Sequence, residues 1–533
     1  VTATLSLTSV LRESALRHPD KVGVVDGDNR VTYAELWQRS LRYAAALREL
    51  CPGPRPTVAL LAPNTVEFPT TYYGALAAGC VVVPVHLLFT APEMAHVLRD
   101  SGADLLVCHH ALAAVGAAAS AEAGVPLVTV GGAPSGGDAG IPADGAADGS
   151  TPVPSLDQLA DTTTPLPVAE TTAPEDPAVV LYTSGTTGEP KGAVLTHLNL
   201  VMNATISAFD ANEVRHADVV LGCLPLFHTF GQTVSMNACF RAGGTLVLLA
   251  RFHPDTAIDL MLREDVDVFH GVPTMYVALL AAASRHDRLP ALRLCVSGGA
   301  ALPVPVLEGF STTFDAQIYE GYGLSETSPV ATASQPRFGT RAGTVGHAIW
   351  GVEVEIAELE DPERIRLLGE GELGEIVVRG HNVFAGYLNR PQATEQVVVD
   401  GWFRTGDLGT KDADGFVRVV DRKGDVVIRG GYNIYPREVE DVLARHPSVR
   451  QVAVIGLPDP VYGEEVCAVV VAEEGGEPVT EETLVSWSRP LLGKHKYPRH
   501  VRFVDELPLG PSHKVLKREL RRRLAAQPGA EAG

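Results

Sequence analysis

The 533-residue chain is 45% hydrophobic and 20% charged, long enough for two or three globular units rather than one ordinary core. Its formal net charge of -21 argues against a broad basic face for nucleic acid or anionic lipid, because such binding rests on many Lys and Arg contacts. Any anionic ligand must therefore be held locally. From Arg422 onward acids and bases nearly balance, so the negative charge lies on the first 421 residues and a boundary is expected there. Seven cysteines (Cys51, Cys80, Cys108, Cys223, Cys239, Cys295 and Cys467) are scattered without C-x-x-C spacing, which points to neither a disulfide framework nor a zinc site and fits a cytoplasmic protein.

In chain order, the opening "VTATLSLTSVLRESALRHPD" lacks the basic, apolar and small-residue order of an export signal. Phe68 to Pro92 carries no formal charge and is long enough to raise the question of a membrane span. Its interior answers it: Gly79, the β-branched run Val81 to Val83, Pro84 and His86 divide it into a buried helix, "TTYYGALAAG", and a short core strand. Gly131 to Pro177, rich in Gly, Ala, Pro, Asp and Thr, has little apolar periodicity and reads as a surface excursion or linker.

Farther on, strand-like Leu246 to Leu249, an amphipathic stretch after Pro254, strand-like Val266 to Phe269 and a second helix form a βαβα unit. Such units build mostly parallel sheets covered by helices, with ligands at the carboxyl ends of the strands. After residue 421 the strand-like "RQVAVIGL", "CAVVVAEE" and "HVRFVDEL", a helix from Glu481 and a last helix with Leu516, Leu520 and Leu524 predict a separate small α+β unit. The fold class is thus α/β, with a large domain at 1–421 and a small α+β domain at 422–533. There is no internal repeat.

Between two apolar runs stands "LYTSGTTGEPKGAVL", Leu181 to Leu195. Thr183, Ser184, Gly185, Thr186, Thr187 and Gly188 supply four hydroxyls and two glycines before Lys191. Backbone N–H groups freed by glycine, hydroxyl donors and one ammonium can wrap phosphate oxygens without a large positive field. The spacing is not that of Walker A, which disfavours a kinase or ordinary NTPase. A simple Ser/Thr-rich turn is the other reading of these residues alone.

The string "YTSGTTGEPKG" resembles the phosphate-binding signature of the adenylate-forming superfamily, which includes acyl-CoA synthetases, luciferases and nonribosomal adenylation domains. "LPLFHTFG" (Leu224 to Gly231), "YEGYGLSET" (Tyr319 to Thr327), "WFRTGDLG" (Trp402 to Gly409), "DRKGDVVIRGGYNIYPREVE" (Asp421 to Glu440) and "PSHKVLKREL" (Pro511 to Leu520) follow in the family's order. The likeness spans nearly the whole chain and lies in the acyl-CoA synthetase branch. It implies an ATP-dependent acid–thiol ligase: a carboxylate attacks the ATP α-phosphate, pyrophosphate leaves, and CoA displaces AMP from the acyl-adenylate. Cofactors are then ATP, Mg2+ and CoA.

The resemblance also implies roles. Lys514 would reach the α-phosphate and the substrate carboxylate, with Lys191 on the phosphates and Glu326 holding Mg2+. Tyr322 would stack on adenine while Asp407 takes the ribose hydroxyls and Arg422 reinforces ribose or phosphate contact. Glu320, Gly321, Gly323 and Ser325 sit where relatives touch the nucleotide. His228 would gate the acyl carbonyl, and Gly298, Gly299 and Ala300 would let substrate and adenine approach the backbone. Gly430, Gly431, Tyr432 and Asn433 would line a pantetheine tunnel in the second of two poses of the mobile C-terminal domain. Two positions depart from the family pattern: the hinge residue is Gly424, and His513 precedes the catalytic lysine where glycine is usual. A member competent in one half-reaction only, a ligase loading a carrier protein, and a non-catalytic nucleotide-binding homologue are the alternatives. A small-molecule, largely apolar carboxylic acid (fatty, aryl or terpenoid) is the expected partner, a homodimer stays open, and neither nucleic acid nor a membrane span is expected.

Overall fold

The computed structural model describes residues 3–132, 153–183, 190–473, 478–510 and 515–525. Two mostly parallel sheets organise the first 350 or so residues. One has nine strands, in which Val24, Leu246, Val220, Val268, Leu294 and Ile318 stand on neighbouring parallel strands, with antiparallel additions at both edges. The other has seven, with Thr57–Leu61 central between Val81–Pro84 and Leu105–His109 and the hairpin Pro177–Thr183/Lys191–Thr196 toward one edge.

Period-2 alternation explains why these strands read as unbroken apolar runs: both faces are covered. Val24, Val220, Leu246, Val268 and Leu294 point into a central core shared with the second sheet and with the helices Tyr33–Leu50 and Glu67–Ala77. Their neighbours Val25, Leu221, Val247, Phe269 and Cys295 point to the opposite side, under Pro254–Arg263, Pro273–Ala283 and Val304–Phe314. Ala59, Leu61, Leu106 and Cys108 do the same for the seven-stranded sheet.

The expected βαβα unit is present as Thr245–Leu248, Pro254–Arg263, Val268–Gly271 and Pro273–Ala283. The uncharged stretch after Glu67 is a wholly buried helix whose polar ends find partners: Tyr72 Oη donates to Gln232 Oε1 (3.1 Å) and Tyr73 Oη to Asn237 Oδ1 (2.8 Å). Among the described residues no helix is long and apolar enough to cross a membrane.

Two local expectations are corrected. In the segment Gly131–Pro177, of which 133–152 lie outside the described residues, there is a helix, Leu156–Thr162, because Leu156 and Ala160 are buried and Asp157 accepts from the Gly131 amide and the Tyr43 hydroxyl. So short a helix has too few turns for periodicity to announce it. In the last helix, Lys517–Ala525, Leu520 is buried, but Leu516 precedes the helix and stays exposed.

Residues 352–422 form an antiparallel sheet ending in the pairing of Trp402–Lys411 with Val417–Arg422. From Val427 a five-stranded sheet carries Pro436–Leu443 and Glu481–Ser488 on one face and Lys517–Ala525 on the other, each with its own core. Between the two sheets lies only Lys423 to Val426, held by Lys423 N–H to Gly406 O and Asp425 N–H to Arg422 O, both 2.9 Å. Arg437 reaches back across this crossing: its amide donates to Asp421 Oδ2 (2.9 Å) and its guanidinium to Val419 O (2.6 Å). All seven cysteines are buried and unpaired.

Candidate active site

The hairpin register sets Lys191 directly opposite Thr183, so the lysine stands at the base of the Ser/Thr/Gly loop. Ser184, Gly185, Thr186, Thr187 and Gly188 lie outside the described residues, as do His513 and Lys514. The Lys191 ammonium lies over the ring of Tyr387, 5.3 Å from its centroid. The hydroxyl of that ring donates to Glu326 Oε1 at 2.8 Å. Lys191 and Glu326 therefore meet on one phenol. Glu326 is buried in the short turn Ser325–Thr327, and its carbonyl accepts from the Phe384 amide (2.9 Å). Burial, then the Glu326 carboxylate, pushes the Tyr387 hydroxyl well above its usual range, so it stays a donor.

A second group forms beside the first. Asp407 is buried, and the register of the last antiparallel pair sets it opposite Arg422. Arg422 Nε lies 3.0 Å from Asp407 Oδ1, while Tyr322 Oη donates to Asp407 Oδ2 at 2.8 Å. Oδ2 thus holds a protein donor and Oδ1 faces a cation, and each sp² oxygen keeps a lone pair for a ligand hydroxyl. Asp407 first, and also Tyr322 and Glu326, raise the Arg422 pKa, which puts both groups within one electrostatic neighbourhood.

Glycines here are required by close approach. A Cβ on Gly323 would fall 1.7 Å from Pro329 O, so no side chain fits where the strand Ile318–Gly323 turns into Ser325–Thr327. Gly299 is left-handed (φ +81°), and a Cβ on Gly298 would touch the Phe230 ring at 3.1 Å. Phe230 N–H donates to His228 Nδ1 (3.3 Å), and a Cβ on Gly298 would also lie 3.4 Å from Gly321 O, so His228, Phe230, Gly298 and Gly321 are neighbours in series. Ala300 is exposed at the loop mouth. Glu320, nearly buried, has its carboxyl pushed up to about 7 by desolvation, against the pull of Arg437 and the Leu302 amide.

The structure thus gathers Thr183, Lys191, Glu320, Tyr322, Glu326, Asp407 and Arg422 from distant segments, with His228 and Gly298 adjoining. Gly430 (φ +56°) and Gly431 (φ +83°) form a left-handed turn beside Tyr432 and Asn433, and their contacts, Gly430 N–H to Tyr462 O and the Tyr432 ring near His495, stay within the C-terminal unit. A Cβ at Gly424 would meet nothing within 4 Å. Sequence reasoning missed Tyr387 and Arg437. Tyr387 belongs to the two-residue strand Gly386–Tyr387, too short for any alternation to show.

One buried carboxylate beside a lysine would suit a magnesium ion, which is held by one or two carboxylates plus substrate phosphates rather than by a full protein cage. Among the described residues no cluster of three His, Cys, Asp or Glu side chains could hold a metal without such help.

Known proteins match the chain over most of its length. The AMP-binding enzyme family matches residues 11–388, and the AMP-binding enzyme C-terminal domain matches 438–514. A long-chain-fatty-acid–CoA ligase of Bacillus subtilis (strain 168) is 34% identical over 536 residues, covering 97% of this chain and 94% of that one. A feruloyl-CoA synthase of an Amycolatopsis species is 36% identical over 509 residues, covering 95% and 96%. Among solved structures, ATP-bound MatB from Rhodopseudomonas palustris superposes with a TM-score of 0.87 at 32% identity, covering 98% and 99%; its apo form gives 0.76.

Proposed function

Because this chain belongs to the AMP-binding enzyme family and is an ATP-dependent acyl-CoA ligase, we infer that it activates a largely apolar carboxylic acid at the cluster of Lys191, Glu326, Tyr322, Asp407 and Arg422. The observation that carries this reading is the convergence of those five side chains from four separate segments.

The roles follow from the chemistry. Asp407 accepts from the ribose hydroxyls with the lone pairs left free by Tyr322 and Arg422. Tyr322, its hydroxyl tied to Asp407, offers a fixed ring for the adenine. Lys191 lies where phosphate oxygens leave the loop, and Glu326, positioned by Tyr387, is the ligand for magnesium, which would offset charge on the α-phosphoryl group. Lys514 supplies the second cation there, drawing the acid's carboxylate and the α-phosphate together. His228 and Gly298 flank the acyl carbonyl. In the second half-reaction Gly430 to Asn433 guide the CoA arm.

We place the domain division at 421/422 and the hinge at Gly424. Nothing in the present arrangement requires glycine there, which supports a role for its freedom in another one. The closer likeness to ATP-bound than to apo MatB supports reading this arrangement as the adenylating pose. CoA is favoured over a carrier-protein thiol as acceptor, and the cytoplasm is the expected site of action. A homodimer would alter none of these roles.

Two assays test the reading. Pyrophosphate release is measured with ATP and a panel of carboxylates, and thioester formation from the matching acyl-adenylate and CoA. Both should proceed. Failure of the first with every acid sinks the reading; failure of the second alone assigns the protein to one half-reaction.

A further inference from the structure

The residues after His228 form a π-helix, Phe230–Asn237, rather than an α-helix. Wider turns of this kind occur frequently at functional sites. Here the helix is buried between the helix Glu67–Ala77 and the strand Val268–Gly271, and it carries an unusual number of polar side chains into that position. Gly231 through Asn237 are all buried, among them Gln232, Thr233, Ser235 and Asn237.

Some of these polar atoms are satisfied locally, as Gln232 Oε1 and Asn237 Oδ1 are by the two tyrosines. Others are not. Thr229 Oγ1, Thr233 Oγ1, Asn237 Nδ2 and, on the facing strand, His270 Nε2 are buried with no hydrogen-bond partner. Buried polar groups are nearly always paired, because an orphan forfeits its hydration. Several orphans on one helix and the strand it faces mark a surface reserved for a ligand.

His270 is the most informative of them. It is 0% exposed, and its Nδ1 lies 3.1 Å from Ser235 Oγ, which fixes the ring between strand and helix. Ser235 stands five residues after Phe230, one turn of an i to i+5 helix, so ring and serine lie one step beyond the Phe230–Gly298 contact. Counted along this helix from His228, Phe230 comes first and then Ser235 with its partner His270.

Resting on the ligase reading above, we propose that His270 Nε2 is a specificity-determining group of the acyl site, selecting acids that carry an uncharged oxygen (hydroxyl, carbonyl or ether) partway along their body over the plain hydrocarbon analogue. Burial holds the imidazole pKa down at about 3, with no charged group contributing, so the ring is neutral. A neutral ring has one N–H: Nε2–H donates to an oxygen when the Ser235 hydroxyl donates to Nδ1, and Nε2 accepts from a hydroxyl when Nδ1–H donates to Ser235 Oγ. It offers no cation to a second carboxylate, so a dicarboxylic acid gains nothing from it.

Matched pairs test this: cinnamate against 4-hydroxycinnamate, and decanoate against keto- and hydroxy-decanoates with the oxygen stepped along the chain. The kcat/KM for AMP release should favour the best oxygenated member over its plain partner by roughly tenfold or more. His270→Phe should bring that ratio to about one, and His270→Gln, which keeps a hydrogen-bonding head, should retain a preference. Because each ratio is taken within one protein sample, a loss of folded fraction cancels. If His270→Phe does not fold, Ser235→Ala, which releases Nδ1, decides by the same ratio. A wild-type ratio at or below one for every pair, or a ratio that survives both substitutions, overturns the proposal. No AMP release with any acid removes the ligase reading itself, and this proposal with it.

Discussion

At Tyr387 one phenol serves two charges of opposite sign, offering its face to the Lys191 ammonium and its hydroxyl to Glu326. A hydrogen bond to an ionised group contributes about 1.5–3 kcal/mol. Tyr387→Phe keeps the ring and deletes the donor, so KM for ATP at limiting magnesium should rise roughly tenfold or more, with the fold intact by circular dichroism. Glu320 behaves differently. Its folded pKa, about 7, lies above the ordinary 4.5, so the folded chain holds a proton that the unfolded chain releases. Its stabilising contribution is full below 4.5 and is lost as pH rises through about 7. Scanning calorimetry across that window should therefore show Glu320→Gln gaining in Tm relative to wild type toward alkaline pH. Asp407, Glu326 and Arg422 stood out in the sequence because turn glycines and motif neighbours surround them. Tyr387 and His270 did not, since what sets each apart is a partner far along the chain: Glu326 is 61 residues from Tyr387, and Ser235 is 35 from His270.

Among the elements, the long strands and helices were legible. Residues such as Val24 and Val25 alternate between two covered faces, so a buried parallel strand shows as a plain apolar run. The π-helix was not legible, because nothing in "FGQTVSMN" distinguishes a wide turn from an α-helix except the polar residues facing inward. Gly231 is where that element tolerates least change: an added Cβ would fall 2.4 Å from Pro225 O and 2.7 Å from Leu224 O, both backbone. Gly231→Ala should force the loop bearing His228 outward and lower stability by about 1–3 kcal/mol in urea denaturation. The antiparallel sheet of residues 352–422 was missed for a different reason. Its short strands are interrupted by turns and lie between stronger motifs, so no repeated pattern announces it.

For the whole molecule, the charge change near residue 421 foreshadowed two parts, and the contacts between them centre on Arg437. Its guanidinium bonds Val419 O; burial raises the Glu320 and Asp441 carboxyls, and Arg437 is the cation that opposes that rise in both. Lys517 and Glu440 (2.7 Å) add an ion pair on the adjoining face of the small domain. If this arrangement is the adenylating one, Arg437→Ala should slow pyrophosphate release by roughly three- to tenfold while sparing thioester formation from preformed adenylate. Equal losses in both would show that Arg437 does not hold a pose. The sequence could not reveal this latch, since an arginine after a proline at a helix start is unremarkable until the opposing sheet is seen.

The seven thiols make such movement measurable. Each is buried, and desolvation pushes every one above its ordinary pKa, Cys51 to about 11 and Cys80, Cys108, Cys223 and Cys467 to about 12. They form a chemically silent background. A pair of cysteines introduced on exposed faces, one per domain, can therefore carry fluorophores without stripping the native sulfurs, and a change in ratiometric energy transfer during turnover would test whether the small domain moves.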